Sequence, residues 1–250
     1  MANYNRLAIL LADTYKQVHN RMYPKTITQL TSYWVPRKSM LNRQDKMVWF
    51  GVQAFIQKWL VEEFEDNFFS YPLDHVKKLY GYSMNAQLNY GNYSDDHVIA
   101  LHKLGYLPLK IEALPEGSLV NMGVPCISVT NTLPEFAWLV QWVECLLQVE
   151  LWKMCNHATI GHMYYVLGKK WYDKTVDDTV DVRNAFADFG MRGMSCLEEA
   201  ERCSAAWLLS SNKTSTTSAI PYLDYYYDAR CLKNGIGVGA ISTEHSVMGA

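Results

Sequence analysis

The chain has 250 residues, of which 49% are hydrophobic, and its 25 acidic and 23 basic side chains give a formal net charge of −2. This length is sufficient for one large domain, or for one domain and part of a second, with an apolar core. The nearly balanced charge removes the electrostatic basis for binding nucleic acid or an anionic membrane surface. Any anion must therefore be bound by a local group of residues.

No segment is typical of export or of a membrane span. The apolar run from Leu7 to Ala12 is too short for a secretory signal, and polar side chains interrupt the stretch from Phe136 to Met154. The 6 cysteines include no Cys-x-x-Cys pair and no zinc-finger spacing, so we expect reduced thiols without a catalytic role. These features predict a cytoplasmic protein that binds neither membranes nor nucleic acid.

The first 180 residues are predicted to form a domain of mixed strands and helices. Residues rich in Thr, Val and aromatic side chains, between Pro and Gly turns, predict antiparallel strands. Their ranges are Gln29 to Val35, Met47 to Phe50, Leu109 to Leu114, Ser118 to Asn121 and Cys126 to Asn131. Apolar side chains at helical spacing predict helices. Those ranges are Val52 to Phe64, Pro72 to Tyr82, Asp95 to Leu104, Pro134 to Met154 and Ile160 to Trp171, the last packing on the one before it.

The pattern changes near residue 180, which we take as the domain boundary. A predicted strand from Asn184 to Asp188 precedes a turn with Gly190 and Gly193, and a predicted helix follows from Ser195 to Leu209. A strand, a tight turn and a helix are typical of the opening unit of an α/β barrel. The fold class is therefore α/β, with an N-terminal mixed domain (1–180) and an incomplete barrel domain (181–250).

The turn segment Asp188-Phe189-Gly190-Met191-Arg192-Gly193 combines residue types that suit a flat, anionic ligand. Glycines let the backbone approach a ligand, Phe189 offers a flat surface, and Arg192 offers fixed donors. Taken alone, the segment is more typical of an ordinary strand-to-helix turn, and an ion pair with Asp188 would account for Arg192. The remaining motifs must decide between these interpretations.

Four segments, in this order along the chain, resemble the nicotinamide phosphoribosyltransferase family. They are Leu10 to Lys16 with His19 and Tyr23-Pro24, Pro115-Glu116-Gly117 before Pro134-Glu135, Asp188 to Gly193, and Glu244-His245-Ser246. The resemblance implies a barrel of the type II phosphoribosyltransferase kind in a homodimer. It also implies that nicotinamide and 5-phosphoribosyl-1-pyrophosphate are converted into nicotinamide mononucleotide and pyrophosphate, with magnesium and ATP, in NAD salvage.

The same resemblance assigns roles to five residues. Phe189 would stack on one face of the pyridine ring, and Tyr15 from the neighbouring subunit would cover the other. Arg192 would contact the carboxamide oxygen and phosphate groups, and Arg37 would reach phosphate across the dimer interface. His245 would be phosphorylated by ATP. Without the resemblance, a buried helix residue, a solvated charged loop and a structural histidine account for Tyr15, Arg37 and His245.

One position departs from the family pattern. The family aspartate that accepts a hydrogen bond from the nicotinamide amide falls at Ser215, and no acidic residue occurs from Arg202 to Leu223. A carboxylate repels nicotinate, whereas a hydroxyl donates or accepts without that repulsion. Nicotinate or mixed pyridine specificity therefore stays open beside nicotinamide.

The resemblance extends from about residue 7 to the end of the chain but covers only the first half of a typical family member. We therefore expect the acidic residues that hold ribose and magnesium to lie outside this chain. The predicted role is an N-terminal half or split subunit that is inactive without a complementary C-terminal polypeptide. The alternatives are a catalytically inactive homologue that acts as a binding or regulatory partner, and an incomplete product without a role of its own.

Overall fold

The computed structural model describes residues 6–40, 44–89, 91–176 and 180–249. The chain forms two compact units. Unit 1 comprises Met1–Asp45, Val52–Pro115 and Asn121–Trp152, and unit 2 comprises Lys46–Gly51, Glu116–Val120 and Lys153–Ala250. The predicted domain boundary near residue 180 borders residues 177–179, which lie outside the described part, and it stays a prediction.

Unit 1 is built around a three-stranded antiparallel sheet. Its strands are β1 (Thr31–Trp34), β3 (Leu109–Ala113) and β5 (Ile127–Asn131), in the order β1-β5-β3. Ile127, Val129 and Asn131 are buried and alternate with half-buried residues, as a central strand with one core-facing side requires. The predicted antiparallel strands are therefore confirmed, although β2 (Lys46–Val48) pairs with β4 (Leu119–Asn121) in a separate sheet.

Helices cover the apolar core of unit 1. They are α1 (Val52–Phe55), α2 (Leu73–Leu88), α3 (Asp96–Leu104) and α4 (Trp138–Trp142). The predicted helix after Val52 continues in the wider π-helical form over Ile56–Glu62 and Glu65–Phe69. The rings of Phe68 and Trp142 both meet Phe64 edge to face, at 5.6 and 5.4 Å between centroids. This buried aromatic cluster anchors the helices.

A single long helix, α5 (Glu144–Thr175), replaces two predicted helices. The prediction of a separate helix from Ile160 to Trp171 that packs on its predecessor is wrong. The residues between them contain no proline, and the Thr159 hydroxyl donates to the Cys155 carbonyl 2.6 Å away without interrupting the helix. Gly161 lets the backbone of α5 approach Trp207 closely, since a Cβ there would lie 3.3 Å from the Trp207 carbonyl oxygen.

Unit 2 contains a parallel strand pair joined by a helix. Strand β6 (Ala187–Asp188) pairs with β7 (Lys213–Thr214), and α6 (Leu197–Trp207) connects them. Val238 forms a further parallel bridge to Lys213 after α7 (Ala219–Tyr227) and α8 (Cys231–Asn234). The predicted strand and helix after residue 183 are both present but shorter than expected, and a final short helix, α9, spans His245–Met248.

The carboxylate of Asp188 holds the ends of β6 and β7 together. Its Oδ1 accepts the Gly190 N–H at 3.0 Å, and its Oδ2 accepts the Thr214 and Thr216 hydroxyls at 3.3 and 3.1 Å. Both threonines are buried, and the Ser204 and Thr214 hydroxyls lie 2.7 Å apart. Because buried hydroxyls need partners, this cluster stabilises the strand ends and the turn that follows β6.

His97 is a buried ionisable group in unit 1. Its ring lies edge to face against Trp138, with 4.8 Å between centroids, and Tyr80 lies beside it. Burial lowers the pKa of His97 to about 4, although the neighbouring Asp96 carboxylate favours the charged form. The ring is therefore neutral in the folded chain at ordinary pH.

Replacement of Asp188 by alanine is expected to lower the free energy of unfolding by about 2–3 kcal/mol, because buried hydroxyls lose their acceptor. Urea denaturation monitored by tryptophan fluorescence measures this change. Asp173→Ala is the control, since it removes an ion pair with Lys169 on the exposed surface of α5 and should cost less than about 0.5 kcal/mol. Equal losses in the two variants would contradict the role given to Asp188.

Acid should destabilise the chain through His97. Since its folded pKa lies below its ordinary value of 6.5, the unfolded chain binds the proton first as the pH falls. The stability contributed by the neutral ring is thus complete above pH 6.5 and is lost progressively toward pH 4. Between pH 6.5 and pH 4 the wild type should lose more free energy of unfolding than His97→Phe. The expected difference between the two losses is about 1–3 kcal/mol. Identical pH dependence in urea denaturation would refute the assignment.

Candidate functional site

Phe189 and Ser215 lie at the carboxyl ends of the two paired strands of unit 2. Phe189 follows β6, Ser215 follows β7, and the Ser215 N–H donates to the Asp188 carbonyl at 2.7 Å. The Phe189 side chain is 79% exposed and Ser215 is also exposed. Because ligands of parallel α/β sheets bind beyond the carboxyl ends of the strands, this edge is the candidate site.

The turn after Phe189 presents Arg192 to solvent. A 3₁₀ turn spans Met191–Gly193, and the Gly193 N–H donates to the Gly190 carbonyl at 2.8 Å. A Cβ at position 190 would crowd the Asp188 carboxylate at 3.1 Å, whereas a Cβ at Gly193 would meet open space. The described partners of the Asp188 carboxylate are all neutral donors, so the guanidinium of Arg192 is available to an anionic ligand.

His245 is exposed and is the first residue of α9. The segment around it is thus not an extended strand, and Glu244 takes the N-cap position. Among the described residues, no hydrogen bond or ring contact joins His245 to Phe189, Arg192 or Ser215. The structure brings Phe189, Arg192 and Ser215 to one edge of the strand pair, and it leaves His245 accessible on a later segment.

Tyr15 lies in unit 1, on a 3₁₀ turn that spans Thr14–Gln17. Its ring is 51% exposed, which excludes the interpretation as a buried helix residue. The His19 ring is 5.0 Å away, and the Lys16 ammonium lies 5.1 Å from the Tyr15 ring centroid. The exposed part of the Tyr15 ring is accessible to a flat ligand.

Arg37 is exposed beside a polar cleft of unit 1 with a volume of about 270 Å³. The cleft is lined by residues of β1, including Tyr33 and Trp34, and by the start of α5, including Glu144. Glu144 also forms an ion pair with Lys16, the neighbour of Tyr15. Arg37 and the Tyr15 turn therefore both border the first turn of α5.

Buried ionisable groups support the strand pair from within unit 2. Lys153 forms an ion pair with the buried Glu199, and together with the Ser195 N–H this contact lowers the pKa of Glu199. Burial raises the pKa of Cys203 to about 12 and that of Cys231 to about 11, so both thiols stay protonated at neutral pH. Nucleophilic chemistry at these two cysteines is therefore disfavoured.

Sequence reasoning missed two features of these sites. Asp188 accepts hydrogen bonds from Thr214 and Thr216, which lie far away in the chain. In the sequence, only the hydroxyl-rich run from Lys213 to Thr217 could have indicated this contact. No pattern in the sequence predicts the ion pair between Lys16 and Glu144. Within the described ranges, no group of three or more His, Cys, Asp or Glu side chains is arranged to hold a metal ion.

In the described part of the chain, no helix is both long enough and apolar enough to cross a bilayer. Even α5, with 32 residues, carries polar and charged side chains throughout its length.

The family model and the curated relatives that match this chain carry the same name. Residues 7–111 match the family model of the nicotinamide phosphoribosyltransferase N-terminal domain. The chain is 41% identical over 241 residues to nicotinamide phosphoribosyltransferase of Acinetobacter baylyi, covering 94% of this chain and 47% of that protein. It is 25% identical over 261 residues to the protein of the same name from Mycoplasma pneumoniae, covering 96% of this chain and 52% of the relative. The chain thus spans about half the length of the curated relatives it matches.

A solved structure shares the fold. The chain aligns with the crystal structure of human nicotinic acid phosphoribosyltransferase at a TM-score of 0.63 and 16% identity, over 95% of this chain and 40% of that one. At this identity the likeness concerns the mixed α/β fold alone. The sequence matches confirm the resemblance that the four motifs predicted. Over nearly its whole length, the chain is similar to half of a nicotinamide phosphoribosyltransferase, and this half begins with the N-terminal domain of that family.

Proposed function

We propose that the chain supplies the pyridine-binding part of a nicotinamide phosphoribosyltransferase that acts in NAD salvage. The observation that carries the proposal is the exposed ring of Phe189 beside Ser215, at the carboxyl ends of β6 and β7. A parallel strand pair with a connecting helix also suits the opening of a type II phosphoribosyltransferase barrel. Family similarity of both the sequence and the fold supports this assignment.

In the proposed reaction, the pyridine nitrogen attacks C1 of 5-phosphoribosyl-1-pyrophosphate. The new N–C1 bond replaces the C1–O bond, and pyrophosphate leaves with the electron pair of that bond. Such a transition state depends on positioning and on stabilising separated charge more than on a strong acid or base. Exposed aromatic rings and permanently charged guanidinium groups are suited to that task.

Phe189 holds one face of the pyridine ring in this proposal, and Tyr15 of a second copy covers the other. Both rings are exposed in the single chain, which suits a sandwich completed by a homodimer. Arg192 binds the carboxamide oxygen and phosphate oxygens from the turn after Phe189. Arg37, exposed beside its cleft, reaches phosphate from the second copy.

His245 is the proposed phosphate acceptor from ATP. Its ring is exposed at the start of α9, so that a nucleotide has access to it. Magnesium would neutralise the departing pyrophosphate when bound, but the described residues offer no ligand cluster for it.

A catalytically inactive partner protein is the competing role, and one assay separates the two. Nucleotide formation is measured with each pyridine, 5-phosphoribosyl-1-pyrophosphate, magnesium and ATP, with and without a polypeptide equivalent to the remaining half of the relatives. Product formed only in the complemented mixture supports the split-subunit role. Absence of product from every mixture, with a complex still formed between the two polypeptides, would favour the inactive partner.

Phe189→Ala should raise the KM for the pyridine in the complemented enzyme by about tenfold, since a ring pair contributes about 0.5–1.5 kcal/mol beyond its buried area. Tyr82→Ala is the matched control, because the Tyr82 ring on α2 is 78% exposed and has no role in the proposed pocket. Initial rates at varied pyridine concentration measure the effect. The assignment of Phe189 fails if both variants keep the wild-type KM.

Ser215→Asp tests which pyridine the site accepts. A carboxylate at the end of β7 would accept a hydrogen bond from nicotinamide and repel nicotinate, so kcat/KM for nicotinate should fall by about 10- to 100-fold relative to nicotinamide. Ser215→Asn, which adds similar bulk without charge, is the control. If the ratio of the two kcat/KM values does not change in the aspartate variant, Ser215 does not face the pyridine substituent.

A further inference from the structure

The turn that carries Tyr15 is fastened on both sides of that residue. The Thr14 hydroxyl donates to the Gln87 side chain at 2.9 Å, and the Gln17 side chain donates to the Ile9 carbonyl at 2.7 Å. Lys16 and Gln17 are buried, whereas the Tyr15 ring between these anchors is half exposed. The backbone around an accessible ring is therefore held in place.

Lys16 is the most unusual of these anchors because a buried ammonium group needs a compensating charge. Its side chain is only 4% exposed, and its Nζ lies 2.5 Å from the Glu144 carboxylate. Burial alone would lower the pKa of Lys16, but the hydrogen bond and charge of Glu144 raise it above its ordinary value. The ammonium is thus a fixed, permanent charge beside the Tyr15 ring, 5.1 Å from its centroid.

A second contact joins the same turn to α5. The Asp13 N–H donates to the Cys145 sulfur at 3.4 Å, and the Cys145 thiol donates to the Asp13 carboxylate at 3.4 Å. Asp13 and Lys16 flank Tyr15, and their partners Cys145 and Glu144 are consecutive residues. The position of the Tyr15 turn is therefore set by the first turn of α5.

The aromatic rings of His19 and Tyr23 extend the cluster that begins at Tyr15. The His19 ring packs against Tyr15 and, at 6.3 Å between centroids, meets the ring of Tyr23. Partial burial and the Lys16 charge lower the pKa of His19, which favours the neutral form of its ring. The Lys16 ammonium and the His19 ring thus both lie close to the Tyr15 ring, at 5.1 and 5.0 Å from its centroid.

We propose that Lys16, paired with Glu144, is a positioning residue that sets the orientation of Tyr15 for pyridine binding. It acts through the tyrosine and does not itself touch the substrate. This inference rests on the proposed function for its effect on the reaction, but the orientation of the Tyr15 ring is a property of the chain alone. Loss of the ion pair should leave the tyrosine present and its ring less ordered.

The test uses protein labelled with 3-fluorotyrosine, whose ¹⁹F spectrum reports the surroundings of each tyrosine ring. The Tyr15 signal is assigned by its loss in Tyr15→Phe. We expect it to shift or broaden in Lys16→Met and in Glu144→Gln, and to return toward the wild-type position in Lys16→Arg, which keeps the cation. Glu144→Gln alters the half-exposed partner and so keeps the test valid if Lys16→Met fails to fold.

Lys110→Met is the matched control, because Lys110 pairs with Glu112 on the exposed surface of β3. This variant should leave the Tyr15 signal unchanged. In the complemented enzyme, Lys16→Met should raise the KM for the pyridine by about tenfold and change kcat by less than about twofold, as expected for lost uniform binding. Lys110→Met should change neither constant.

The outcomes separate this inference from the proposed function. A Tyr15 signal that moves in Lys16→Met and not in Lys110→Met supports positioning, even if no mixture forms nucleotide and the proposed function fails. An unchanged Tyr15 signal in folded Lys16→Met and Glu144→Gln overturns the inference. It is also overturned if the signal moves but the KM of an active enzyme does not.

Discussion

One backbone N–H and two threonine hydroxyls meet at the carboxylate of Asp188, and the candidate site depends on this junction. The junction joins the end of β6 to the residues after β7, so that Phe189 and Ser215 emerge at the same edge. Since the carboxylate is occupied by neutral donors, the nearby Arg192 is not neutralised by it. Local hydrogen bonding therefore fixes the geometry of the edge, and Arg192 supplies its positive charge.

In unit 1 a different interaction, an ion pair, holds the candidate residues in place. Tyr15 and Arg37 both lie near the first turn of α5, where Glu144 pairs with the buried Lys16 and also lines the cleft beside Arg37. In unit 1 an ion pair between the buried Lys16 and Glu144 holds the candidate residues in place. In unit 2 the hydroxyls of Thr214 and Thr216, bound to Asp188, have that role. In a homodimeric enzyme, this surface of one copy would complete the pyridine site of the other.

Local patterns predicted a large part of the fold, and long-range contacts account for what they missed. Strand-forming residues between Pro and Gly turns identified the strand in Cys126 to Asn131, and the turn at Gly190 was correctly placed between a strand and a helix. Apolar spacing did not distinguish π-helical from α-helical turns after Ile56, nor one helix from two across Cys155 to Thr159. The partners of Asp188 and Lys16 lie far away in the chain, beyond any local pattern.

The most direct measurement is an NMR titration of the ¹⁵N-labelled, complemented protein with nicotinamide, following the backbone amides of Phe189 and Ser215. The account predicts that both amides shift saturably with the same apparent Kd, because the ligand stacks on one residue and its carboxamide faces the other. Binding that leaves both signals in place, or that shifts only residues of unit 1, would contradict a pyridine site at the ends of β6 and β7.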